Sequence, residues 1–151
     1  MMLGKHVIAS GLTSAFFLFL TKSWGGAIAC FVSGILIDLD HLLDYCIIKK
    51  RMCWSLDTLK AFCTDKTGKI YLVLHSYELM IILWAAMIYL KATGIWLGLL
   101  YGMSVHILLD QLTNPIYPLA YFWFYRLKLG FPKVVFFNDE PLGGFGKTRS
   151  S

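Results

Sequence analysis

All four histidines of this chain stand at an end of an apolar run, and carboxylates stand with them. His6 opens the first run. Asp38, Asp40, His41 and Asp44 close the second, His75 and Glu78 open the third, and His106 and Asp110 close the fourth. A chain running up and down four times brings the starts of runs one and three to the same face as the ends of runs two and four. Ionisable groups in apolar surroundings need partners. The pattern therefore predicts a small helical bundle with a metal site at one end.

The chain is 58% apolar, where an average soluble domain is about 45–50% apolar. Its charged residues make up only 15% and cluster between the runs. One small soluble core does not need Phe16 to Leu20, Ile81 to Leu90 and Ile95 to Leu109 together, so the class is integral membrane protein. The strictly apolar stretches reach only about 12–16 residues, short of the ~20 needed to span. The shortfall disappears if each helix includes its polar end. The expected helices are then Leu3 to Thr21, Trp24 to Tyr45, Ile70 to Leu90 and Gly94 to Leu112. The second would be about 33 Å long. The His and Asp residues would lie roughly 5–10 Å inside the helix ends, at headgroup depth.

The expected fold is all-α, a bundle of about four transmembrane helices. Tyr117 to Tyr125 carries six aromatics in nine residues, followed by Arg126 and Lys128. That composition suits a C-terminal helix lying in the interface. Residues 1–137 form one transmembrane domain, and the Gly-rich polar stretch 138–151 is expected to be a loosely ordered tail. Lys5 and an Ala27-Ile28-Ala29 site resemble parts of a signal peptide. Lys22, Trp24 and two glycines interrupt it, and another apolar run follows, so the first run is read as a retained helix. Gly94, Gly98 and Gly102 repeat every four residues, a seam for close helix packing.

The net charge of +5 does not point to nucleic acid, because of where the charges lie. Lys49, Lys50, Arg51, Lys60, Lys66 and Lys69 fall in one loop, and Arg126, Lys128, Lys133, Lys147 and Arg149 follow the last run. Lys22 and Lys91 alone mark the two opposite hairpins. This is the positive-inside pattern. It predicts a multi-pass protein of the inner (cytoplasmic) membrane, with both termini and the Ile47–Lys69 loop cytoplasmic. Membrane lipid is the expected partner, each basic residue attracting anionic headgroups by roughly 1 kcal/mol. The loop has room for a short amphipathic helix around Leu56 to Phe62. Cys30, Cys46, Cys53 and Cys63 show no C-x-x-C spacing and are read as free thiols.

Burying an aspartate near the centre of a membrane helix costs about 2.5–3.5 kcal/mol, less near its end. Asp38, Asp40, Asp44, Glu78 and Asp110 gathered without compensation would repel one another. A divalent cation is the simplest remedy. The candidate metal ligands are His6, Asp38, Asp40, His41, His75, His106 and Asp110. On a helix, His106 and Asp110 lie ~40° apart and His75 and Glu78 ~60° apart. Asp38 shares a face with His41, and Asp40 with Asp44. Asp38 and Asp40 point to opposite sides unless the helix unwinds, so one is a ligand and the other orients a histidine from behind. Imidazole with carboxylate suits zinc, iron, manganese or nickel, and the sequence does not choose among them. Each group has a plainer reading: His106–Asp110 as a hydrogen-bonded pair, Asp44 as a solvated loop residue, Glu78 as a partner for a lysine. Those readings do not explain why every histidine arrives at one face.

Gly34-Ile35-Leu36-Ile37-Asp38-Leu39-Asp40-His41 resembles the D-x-D-H segment of the prokaryotic membrane-bound metal-dependent hydrolase family. Leu74-His75-Ser76 is similar to its H-S element, His106 to Asp110 to its H-x-x-x-D element, and His6 also matches. The resemblance covers residues 6 to about 118. The chain departs from it ahead of His75, where an Arg-Gly pair is common and Tyr71, Leu72 and Val73 stand. The family is itself likened to zinc-dependent phospholipases C. The resemblance implies a hydrolase that uses a metal-activated water, with Asp40 or Glu78 as general base. Lys49, Lys50 and Arg51 would attract a phosphate, and the substrate would be a lipid headgroup or lipid-linked phosphoester. No G-x-S-x-G is present, so a covalent serine mechanism is not expected. The competing class is a non-catalytic metal-binding membrane protein with a structural, transport-related or partner-binding role. Transport sites tend to lie near the midplane, whereas these groups sit at one end.

Overall fold

A computed structural model describes residues 3–50, 52, 55–58, 61, 68–113, 117 and 119–136, without the side chains of residues 3–5, 134 and 136. The expected tail, 138–151, lies outside the described residues, as do Cys53, Cys63 and much of the basic loop. Among the described residues the fold is all-helical, with one isolated bridge, Lys69 to Pro132. Six α-helices follow in order: α1 Leu3–Thr21, α2 Trp24–Leu36, α3 Leu39–Lys49, α4 Tyr77–Tyr89, α5 Ile95–Thr113 and α6 Trp123–Leu129. A 3-10 turn, Lys133–Phe136, follows. Residues 56–58 and 61 of the loop are helical.

Close backbone contact between α2 and α5 holds the bundle together, with α1 packed on α2. A Cβ on Gly98 would run into the Gly26 carbonyl, and one on Gly102 into the Cys30 carbonyl. Only glycine lets the two helices approach this closely. Gly94, the third member of the expected seam, precedes α5 and takes φ +62 in the hairpin. Ser14 Oγ donates to the Ala27 carbonyl at 2.6 Å and ties α1 to α2.

The second expected helix is broken. α2 stops at Leu36 and α3 starts at Leu39. Between them Asp38 N bonds to Ile35 O, Asp40 N to Ile37 O and His41 N to Asp38 O, all three residues back. The axis continues, but the winding tightens to about three residues per turn, where positions i and i+3 eclipse. Asp38 and His41 are thereby brought onto one line. α3 runs on to Lys49, three residues into the expected loop.

The third expected helix starts seven residues late, at Tyr77 rather than Ile70. Ser76 caps it, accepting from Leu79 N at 3.1 Å. The backbone amides of residues 71, 72, 74 and 75 are bonded to aspartates of α3 instead of to a helix. His75 and Glu78 therefore do not share a helical face. The C-terminal aromatic stretch is also shorter as a helix than expected. Residues 119–121 form a turn, and α6 begins at Trp123.

Among the described residues, two helices are long and apolar enough to cross a membrane, the broken 24–49 stretch and α5. On the first, Trp24, Ile28, Val32, Leu36, Leu39, Leu43 and Ile47 are all exposed, in steps of three or four. That is a continuous apolar stripe down the whole helix. Its opposite side buries Gly26, Ala29, Cys30, Ser33 and Gly34. Large residues out and small residues in is the reverse of a soluble surface helix and suits a lipid-facing one.

Candidate metal centre

The four histidines come from α1, α3, the 71–76 segment and α5, and they meet. The ring centroids of His6 and His106 lie 4.6 Å apart, those of His75 and His106 5.7 Å, and those of His41 and His75 5.4 Å. Among the described residues, donor atoms converge in two groups, each within 4.8 Å. His6, Asp38, His106 and Asp110 form one, and Asp38, His41 and His75 form the other. Six of the seven expected ligands are thus brought together, and Asp38 belongs to both groups.

Each central histidine is held so that one nitrogen is committed. His106 Nδ1 lies 2.6 Å from the Gly34 carbonyl, which can only accept, so Nδ1 carries the proton. His75 Nδ1 faces Asp40 Oδ2 at 3.3 Å. Both Nε2 atoms point inward and are buried, and among the described residues neither meets a partner in good hydrogen-bond geometry. Around them stand carboxylate oxygens. His106 Nε2 is 3.3 Å from Asp38 Oδ1 and 3.4 Å from Asp110 Oδ2, and His6 Nε2 is 3.7 Å from Asp110 Oδ1. Lone pairs facing carboxylates in a low-dielectric pocket are unfavourable without a cation or proton between them. Ligands about 2.0–2.1 Å from a tetrahedral zinc ion stand roughly 3.3–3.4 Å from one another. The two His106 distances match that spacing.

Asp40 lies outside both groups. Its Oδ2 accepts from Leu74 N at 2.7 Å and His75 N at 3.2 Å as well as facing the His75 ring. The carboxylate orients His75 from behind, in the way the spacing from Asp38 suggested. One turn on, Asp44 Oδ2 accepts from Tyr71 N at 2.6 Å and Leu72 N at 3.0 Å. Asp44 is buried and bonded, not a solvated loop residue. Glu78 accepts from Trp123 N at 2.8 Å and Phe124 N at 3.2 Å, one oxygen to each. It caps α6 and, among the described residues, pairs with no lysine. These contacts give Asp40 an orienting role and Glu78 a capping role, and a general-base role for either finds no support in them.

Arg126 is the residue the sequence pattern overlooked. It counted there as one of the basic residues facing lipid headgroups, yet it is wholly buried. Its Nη1 donates to the Tyr71 carbonyl, and its Nη2 to those of Leu72 at 3.1 Å and His75 at 3.2 Å. Burial lowers its pKa to about 10, and the nearby Asp40, Asp44 and Glu78 carboxylates work against that, so it stays charged at neutral pH. The aspartates hold the N–H side of residues 71–75 and Arg126 the carbonyl side. Leu72, at φ 43, takes the left-handed turn that this clamp imposes. The signal was available: Asp40 and Asp44, once buried, need a cation, and Arg126 is one of only three arginines in the chain. Tyr121, on the turn before α6, lays its ring 5.9 Å from His75. Burial pushes its phenol well above the usual value, so the hydroxyl stays protonated.

No family model matches the chain, no curated protein matches it, and no solved structure matches it. The donor geometry is therefore the main guide to its chemistry.

Proposed function

We propose that the protein is a membrane-bound metal-dependent hydrolase of the family its motifs resemble, acting on a phosphoester of a lipid or lipid-linked substrate. The observation that carries this is the pair of buried, unpartnered Nε2 atoms of His75 and His106 turned toward shared carboxylates. His6, Asp38, His41, His75, His106 and Asp110 would hold the metal, with zinc as the first choice. A divalent cation there supplies a water activated near neutral pH and a Lewis acid for a phosphoryl oxygen. Asp40 keeps the His75 ring in its ligating orientation, the Gly34 carbonyl does the same for His106, and Arg126 fixes the backbone that carries His75. Lys49 and Lys50, exposed at the end of α3, supply positive charge for an anionic headgroup.

Four membrane crossings with the cluster near the cytoplasmic face fit this reading. The exposed apolar stripes on the 24–49 stretch and on α1, where Ile8, Leu12, Phe16 and Phe19 are exposed, support lipid contact. α4 alone is only about 20 Å long. In a four-crossing bundle the 71–76 segment would complete its span. Irregular backbone at that depth is tolerated only where its polar groups are satisfied by protein, which the clamp of Asp40, Asp44 and Arg126 does.

A second reading has its own support. Four protein donors, as in the His6 group, is the number found in closed structural zinc sites, so a non-catalytic metal-binding membrane protein is the alternative. The deciding experiment is release of water-soluble headgroup from labelled lipid extract in detergent, with zinc present, by the wild type and by Asp110→Asn. Release by the wild type that collapses in Asp110→Asn supports catalysis. Equal release by both proteins rules it out at this site. Bound metal without release by either favours the structural alternative.

A further inference from the structure

We propose that the cluster is a two-metal centre bridged by Asp38, one ion closed in by four protein donors and the other left with an open coordination position. The inference rests on the metal reading above and goes beyond it in number and division of roles. Four observations carry it.

First, the donors form two groups that share one residue. Asp38 Oδ1 is 3.3 Å from His106 Nε2 and 3.9 Å from His75 Nε2, so a single carboxylate stands between two imidazoles that belong to different groups. Second, each group contains its own buried Nε2 that meets no partner in good hydrogen-bond geometry among the described residues, so one ion would leave an orphan in the other group. Third, each of those imidazoles has a separate anchor on its far nitrogen, Gly34 O for His106 and Asp40 for His75. Each imidazole is thus held in a ligating orientation independently of the other, so either can serve its own group. Fourth, the two groups differ in donor count and exposure. His6, His106 and Asp110 are all buried and, with Asp38, offer four donors. Asp38, His41 and His75 offer three, and Asp38 and His41 are only half-buried.

Three protein donors with a free position is the arrangement of catalytic zinc, and four without one that of structural zinc. The tight helical turn at residues 37–41 supplies the bridge. It eclipses Asp38 with His41, so that one face of the chain presents a carboxylate to both groups and an imidazole to the second. An α-helix of normal winding would set them ~60° apart.

Two ions next to each other on one carboxylate also suit the substrate class. Paired metals clamp the attacking and leaving oxygens of a phosphoryl displacement. An ion at Asp38, His41 and His75 would have the open position that a substrate needs, and one in the four-donor group would hold the bridging carboxylate in place.

The test is zinc titration of the full-length, metal-stripped protein in detergent, with metal content counted per chain, in the wild type and in His41→Ala. The expected result is two zinc ions in the wild type, filling in a tight and a weaker step. His41→Ala should keep the tight step and lose the weaker one, which also shows that the variant is folded. Loading the wild type with Mn2+ gives a second readout that needs no variant. Electron paramagnetic resonance should show an exchange-coupled pair, because a bridging carboxylate couples the two spins. A wild type that binds one zinc overturns this inference and leaves the metal centre standing. Two zinc ions with uncoupled Mn2+ signals overturn the bridge. A wild type that binds no zinc overturns the metal centre itself.

Discussion

Asp40 holds His75 twice through one oxygen. Its Oδ2 accepts the backbone N–H of His75 at 3.2 Å and faces the ring Nδ1 at 3.3 Å. Backbone and side chain are thus referred to the same point, and the ring cannot turn without giving up a bond to a buried carboxylate. The group that orients the imidazole also fixes the chain carrying it.

Asp40→Asn should therefore weaken zinc binding without deleting a ligand. The expected loss is roughly 10–100-fold in affinity, the usual cost of disturbing a partner behind a metal-bound histidine. The number of ions at saturation should not change. Competition against a chromophoric chelator measures both. Unaltered affinity would remove the orienting role, and loss of an ion as complete as in His75→Ala would make Asp40 a ligand.

Arg126→Met should destabilise the fold severely. It leaves Asp40 and Asp44 without their cation and three carbonyls without a donor, and breaking a buried charge network of this kind costs about 3–5 kcal/mol. Arg126→Lys should fall between, because an ammonium lacks the planar fork that reaches several carbonyls at once. Thermal denaturation in detergent ranks the three proteins. A methionine variant as stable as wild type would show that the clamp contributes little.

Three glycine variants test the α2–α5 contact. Gly98→Ala and Gly102→Ala place a methyl group against a facing backbone carbonyl and should each cost about 1–3 kcal/mol. At Gly11 the nearest neighbour of a new Cβ is the Phe31 ring at 4.0 Å. Gly11→Ala should thus stay within about 0.5 kcal/mol of wild type. Gly102→Ala should also weaken zinc binding, since pushing α5 from α2 pulls His106 from Asp38. Equal stabilities across the three would rule out the close approach.

Topology can be read by labelling. With the proposed orientation, a cysteine at position 60 should resist a membrane-impermeant thiol reagent in intact cells, and one at position 22, in the first hairpin, should react. A reactive position 60 with an inert position 22 would invert the protein.

Much of this arrangement is legible in the sequence, and the misses share a cause. The limits of α1 and α5 follow from unbroken apolar runs with local hydrogen bonding, and the observed helices start and stop within a residue of those limits. The convergence of His6, Asp38, His41, His75, His106 and Asp110 follows from where those runs place their ends. The start of α4 does not. Ile70 to Leu74 is as apolar as any helix, but the amides of Tyr71, Leu72 and Leu74 are claimed by Asp44 and Asp40, some thirty residues earlier in the chain, and that of Ile70 by the Phe131 carbonyl. Periodicity sees only neighbours, so a segment whose partners are remote looks like a helix. Arg126 was missed for the same reason: its partners lie more than fifty residues back. The break at residues 37–38 was foreseen only as a condition, because two carboxylates two residues apart cannot face one way on a regular helix.

The position of Arg126 along the chain bears on when the candidate centre could take up a metal. Every candidate ligand has been synthesised once residue 110 is made, and α5 can then lie against α2. His75, however, still hangs on a segment whose carbonyls have no donor until the chain reaches Arg126, beyond the last apolar run. The growing polypeptide carries a complete set of donors before it carries a site. If the cluster holds a metal as proposed, loading would be deferred until the C-terminal helix has docked, and a half-made chain would not trap an ion in the wrong geometry.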